Sequence, residues 1–146
     1  MTVGTSRIFP LKPDIGDAAD FQIAGSGVII GSATDGLGGM EGFNCQVRFM
    51  LGTGSGGCRV YIQSSLDQGS SWFNIAVTEF DVVSVPWIFA VRTATTGLVT
   101  PVAGASGNSP ETTGVITSVL GDRLRAYIIV SGTYVNTTLS VRVMPI

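Results

Sequence analysis

From Val60 to Leu66 the chain alternates, with Val60, Ile62, Ser64 and Leu66 set against Tyr61, Gln63 and Ser65. A period of two lets a strand bury one face. Asp67-Gln-Gly-Ser-Ser71 follows and reads as a turn: the short acid can bond nearby backbone N–H groups, and the glycine is free to take a positive φ. Trp72, Phe73, Ile75, Val77 and Phe80 then carry the chain back on residues that favour strands. Cys58–Phe80 is therefore predicted as a β-hairpin, and the rest of the chain is read around it.

Upstream, Phe43, Cys45, Val47, Phe49 and Leu51 alternate with Asn44, Gln46, Arg48 and Met50, the cleanest amphipathic strand in the chain. With GTGSGG at Gly52–Gly57 as a loop, Phe43–Leu51 and Cys58–Leu66 would form a second hairpin, placing Leu51 opposite Cys58 and Cys45 opposite Ser64. Asp20–Ile23 and Gly27–Ser32 are short strand candidates, and Ala33–Gly42 reads as loop. Residues 1–19 hold neither periodicity and read as an extended arm, packed along the domain or along a neighbour, before a single domain over 20–146. Downstream, Pro86–Arg92 is a strand with Trp87, Phe89 and Val91 on one face, led by a proline in a tolerated first position. Val115–Leu120 and Arg123–Ser131 are further strands; Gly132 makes a turn, and Leu139, Val141 and Val143 line the last strand. No segment keeps a 3.6 period over about 10 residues, so little or no helix is expected. Roughly seven to nine strands at this spacing are the signal for an all-β sandwich or barrel; the expectation is an antiparallel sandwich, jelly-roll-like, with an immunoglobulin-like closure of the sheets as the alternative.

Between these strands, Thr93–Thr113 is a long run of Gly, Thr, Ser, Ala and Pro. Loops beyond about 12–15 residues are uncommon in compact domains. A solvated surface loop and an assembly or binding loop both fit, and the scarcity of charge favours the second.

Composition changes the picture in one respect. At 146 residues the chain suits one domain, and only 12% of it is charged, about half the usual ~25% of soluble domains. So few charges cover a lone surface poorly, which favours an oligomer or a subunit of a larger assembly. The eight basic residues are scattered and the net charge is −2, so no basic stripe invites nucleic acid. The opening residues carry no apolar signal region, and no apolar run approaches the ~20 residues of a membrane span. The expectation is a protein made in a cytoplasm and soluble there, with no membrane partner.

Chemistry is sparse. Without histidine the chain cannot supply a Ser–His–Asp or Cys–His arrangement, and two thiols without imidazole do not make a zinc site. In the expected register, Cys45 and Cys58 stand too far apart for the roughly 7 Å Cα limit of a disulfide, so both read as free. Glu79 and Asp81 are the closest carboxylates that could serve glycoside hydrolysis, but they also fit a solvated strand end or an interface ion pair. The expectation is no enzyme, no cofactor and no metal.

Ser65-Leu-Asp67-Gln-Gly69-Ser-Ser71-Trp72 matches the S-x-D-x-G-x-[ST]-W pattern and resembles the Asp box of sialidase-like propellers. That resemblance implies a structural turn of Ser65, Asp67, Gly69 and Trp72: the carboxylate pins it, the glycine takes the left-handed position, and the tryptophan packs beneath. The run VYIQSSLDQGSSWFNIA, followed by an apolar strand, a Gly/Thr-rich loop and GDRLRAYIIVSGTYVNTTLSVRV, resembles the small β-sandwich virion proteins of tailed bacteriophages, most of all a capsid decoration (cement) protein. What this implies is a homotrimer in the phage particle, bound to the major capsid protein lattice through arm and loop and stabilising the head. Ile8, Phe9 and Leu11 of the arm, with Leu98, Val99 and Val102 of the loop, are then the assembly contacts, and removal of residues 1–19 would abolish capsid binding while leaving the fold intact. A tail or neck component is the neighbouring reading. A carbohydrate- or receptor-binding module is the competing one, with Trp72, Trp87, Tyr61 or Tyr134 as stacking platforms.

Overall fold

The structure is a computed structural model that describes residues 9–11, 20–23, 25–34, 37, 41–80, 84, 86–92, 114–115 and 120–146. These residues form ten strands: β1 (Phe9–Pro10), β2 (Asp20–Ile23), β3 (Gly27–Ile30), β4 (Gly42–Met50), β5 (Thr53–Ser65), β6 (Phe73–Phe80), β7 (Pro86–Arg92), β8 (Gly114–Val115), β9 (Arg123–Val135) and β10 (Thr137–Pro145). One sheet runs β1-β10-β4-β7, with β2 sharing the β1 edge of β10, and the other runs β3-β9-β5-β6-β8.

All pairings are antiparallel, and the principal ones are nested: β5 with β6, β4 with β7, β3 with β9, and β2 with β10. The chain is thus a long hairpin folded back on itself and rolled into two facing sheets, which is the jelly roll. The expected antiparallel sandwich is what the structure has, and the hairpin read from Cys58–Phe80 is its innermost turn.

The core lies where the alternating faces meet. Phe43, Cys45, Val47 and Phe49 of β4 and Leu139, Val141 and Val143 of β10 form one wall. Cys58, Val60 and Ile62 of β5 and Leu124, Ala126, Ile128 and Val130 of β9 form the other. Phe49 stacks on Phe80 at 5.0 Å between ring centroids and takes Tyr134 edge-on at 5.6 Å, tying β4 to β6 and β9 with the preferred aromatic geometries.

Three expectations are corrected. First, β4 and β5 are not a hairpin: β4 lies between β10 and β7, while β5 lies between β9 and β6. The chain changes sheets at Leu51–Gly52, because both strands carry a core-facing apolar row and the sandwich buries those rows against each other. Cys45 and Cys58 are nevertheless free and buried.

Second, the GTGSGG run is strand from Thr53 onward rather than a loop, and Gly132 is not a turn. Thr53–Gly57 pairs with Ser131–Val135, extending β5 and β9 into a long ribbon, and the chain reverses at Asn136 with φ 50°. The glycines are there because the two backbones approach closely. A Cβ on Gly132, at φ +108°, would lie 2.2 Å from the Ser55 carbonyl oxygen, and one on Gly54 1.7 Å from that of Thr133.

Third, Leu11 is not an assembly contact at the surface, because the part of the arm around it packs along its own domain. Phe9–Pro10 pairs with Arg142–Val143, the Leu11 amide donates to the Val141 carbonyl at 2.8 Å, and Leu11 is 0% exposed within the core. Leu11 is therefore no surface contact. Ile8, Leu98, Val99 and Val102 lie outside the described residues, as does all of Thr93–Thr113; of the expected Val115–Leu120 strand, only its start is described as strand, in β8.

Candidate functional site

The turn joining β5 to β6 is built by its own polar side chains. The Ser65 hydroxyl donates to Asp67 Oδ1 at 2.8 Å and accepts from the Gly69 amide at 2.8 Å. Asp67 Oδ1 accepts the Ser71 amide at 2.7 Å, and its Oδ2 takes the Ser71 hydroxyl. These bonds, first those from Ser71 and then that from Ser65, pull the Asp67 carboxyl down to about 2, because each favours the ionised form. Gln68 and Gly69 both take the left-handed region, at φ 60° and 91°. Trp72 closes the turn, its indole N–H donating to the Gly69 carbonyl at 3.1 Å. Ser65, Asp67, Gly69 and Trp72 thus come together as a pinned turn.

Beside this turn lies an arrangement that local sequence reading missed. On the face of the second sheet turned away from the core, β5, β6 and β9 bring together Gln63, Asn74 and Arg125, with Gln63 and Asn74 fully buried. Gln63 Nε2 donates to Asn74 Oδ1 at 2.8 Å, and Gln63 Oε1 accepts Arg125 Nε at 2.8 Å. The Arg125 guanidinium sits 4.1 Å over the Trp72 ring and 6.0 Å from the Tyr127 ring, within the range of cation–π attraction. Partial burial pulls its pKa below the ordinary value. Register is what assembles these groups: Gln63 stands opposite Arg125 only because β5 pairs with β9 across sixty-odd residues of sequence.

The same outer face carries apolar side chains. Val28 and Ile30 of β3, 53% and 51% exposed, stand opposite Ile129 and Tyr127. The outer face of the other sheet has a shallow apolar groove of about 290 Å³ lined by Gln46, Ile88, Arg142 and Met144 among others, with Ile88 73% exposed.

The remaining expectations fall as follows. Tyr61 and Tyr134 are buried and offer no stacking platform. Trp87 is placed opposite Val47 by the β4–β7 register. Glu79 forms an ion pair with Arg59 at 3.2 Å, and Asp81 lies outside the described residues. Among the described residues no group of three or more metal-ligating side chains comes together. No protein-family model, curated protein or solved structure matches this chain.

Proposed function

We propose that this chain is a structural virion protein of a tailed bacteriophage, a capsid decoration (cement) protein that sits on the major capsid protein lattice and stabilises the head as a homotrimer. The observation that carries the reading is that both sheets of the sandwich present exposed aliphatic side chains outward, Val28 and Ile30 on one side and Ile88 on the other, on a chain with only 12% charged residues. Exposed aliphatic side chains on both outer faces of a charge-poor subunit suit a protein whose surface is spent on contacts. The jelly roll is an architecture used by viral capsid and lectin domains alike, so fold alone does not choose between them. The resemblance of the hairpin and closing strands to phage β-sandwich proteins favours the first. The function is then mechanical: added buried area ties neighbouring capsid subunits together.

Two measurements test this. Light scattering on a sizing column is expected to give a mass near three times 15.1 kDa. Co-sedimentation with undecorated phage head shells is expected to show saturable binding. A monomer that ignores head shells overturns the reading; binding to tails instead of heads moves the protein to the tail or neck.

A further inference from the structure

We infer that Arg125 is the seat for a side-chain carboxylate of a docking protein, an inference that names partner chemistry for the subunit reading above and rests on it.

Three observations carry it. Arg125 is pre-positioned: its Nε is tied to Gln63, Gln63 is tied to the buried Asn74, and the guanidinium plane is held over Trp72. This leaves the two terminal nitrogens of the fork free of any partner among the described residues, the geometry that receives a carboxylate through two parallel bonds. Second, the other two arginines on this face already have acids beside them. Arg59 bonds Glu79 at 3.2 Å and Arg123 Nε lies 3.8 Å from Asp122, whereas the Asp67 carboxylate, the acid of the adjoining turn, is taken up by Ser65 and Ser71. Arg125 is the arginine of this face without an acid among the described residues, so charge complementarity calls for one from outside. Third, Trp72 and Tyr127 stand beside it, and Ile30, opposite Tyr127, and Val28, opposite Ile129, continue the same outer face with exposed aliphatic side chains. An arginine held against aromatic rings with exposed aliphatic side chains further along the same face matches the aromatic and arginine anchors of a protein–protein hot spot. A protein surface is favoured over an acidic sugar because one face of Trp72 is covered by Arg125 and its N–H is spent on Gly69, which leaves a sugar ring little to stack on.

The experiment is an NMR titration of the full ¹⁵N-labelled chain with a short acetylated leucine–glutamate–leucine peptide, its glutamine counterpart, and glucuronate. The glutamate peptide is expected to move the Arg125 Nε–H and Trp72 indole N–H resonances to saturation, and the glutamine peptide is expected to leave them in place. Arg125→Gln is expected to weaken the glutamate peptide about tenfold or more, as loss of a hydrogen-bonded charge pair does. Arg125→Lys, which keeps the charge without the fork, is expected to lie between, and provides the comparison if Arg125→Gln disturbs the turn. No saturable movement in the unsubstituted chain, equal response to the glutamine peptide, or a stronger response to glucuronate each overturns the assignment. Head-shell binding separates it from the broader reading. Shells that bind the unsubstituted chain and Arg125→Gln alike remove Arg125 from the interface and leave the subunit reading standing. A chain that takes the glutamate peptide through Arg125 but no shells does the reverse.

Discussion

Asp67 shows how much a single side chain can do for a turn. Its folded pKa, about 2, lies below the ordinary 3.8 because Ser71 and Ser65 donate to the ionised carboxylate. A depressed carboxyl contributes stability that is fully present above about pH 4 and is lost as pH falls toward the folded value. The melting temperature of the unsubstituted chain is therefore expected to exceed that of Asp67→Asn at pH 6, with the gap closing toward pH 2. A gap that stays constant across thermal melts in that window would show that the carboxylate's charge is not what pins the turn. The cysteines behave oppositely, since burial disfavours the thiolate: Cys58 is pushed up to about 12, and Cys45 is also raised. Neither thiol is expected to react with an aromatic disulfide reagent at pH 8 until the chain is unfolded, when both are expected to be titrated. The turn was legible in sequence because every partner lies within a few residues. Arg125 was not, because its partner Gln63 lies on another strand and is set by register alone.

At the scale of elements, alternation located most strands well. Asp20–Ile23 and Pro86–Arg92 are strands over the predicted spans, and β4 and β6 differ by about one residue at their ends. Glycine misled: Thr53–Gly57 of the GTGSGG run and Gly132 carry a loop signature, yet they are paired strand. Local propensity treats glycine as a breaker, whereas here its missing side chain is what admits the partner backbone. Gly132→Ala must place a methyl group 2.2 Å from the Ser55 oxygen at φ +108°, and it is expected to cost about 3 kcal/mol in urea unfolding. Gly27→Ala, with nothing within 4 Å of its Cβ, is the control and is expected to stay within about 0.5 kcal/mol. Equal effects at the two positions would remove close approach as the reason for the ribbon's glycines.

For the whole molecule, the consequence concerns the N-terminal residues. Leu11 fills a place in the core, its amide bonds the Val141 carbonyl, and β1 pairs with the last strand. Removing residues 1–19 is therefore expected to lower stability as well as to delete any contact made by the arm, contrary to what an independent arm would do. Leu11→Ala is expected to cost about 2–5 kcal/mol, the usual range for a buried leucine, read by denaturant unfolding. An unchanged midpoint would return Leu11 to the surface and make the arm separable again.

What the sequence determined by itself was the identity of most strands, the inward face of the most regular of them and the central turn, because period-two alternation and Asp-box chemistry act between neighbours along the chain. What only the tertiary structure decided was which strands meet. β4 and β5, adjacent in sequence, part into different sheets, while β3 and β9, and β2 and β10, close around them from opposite ends of the chain. Partner choice depends on burying two apolar faces against each other, a sum over the whole sandwich that no local window contains. The Gln63–Asn74–Arg125 arrangement exists because of that choice.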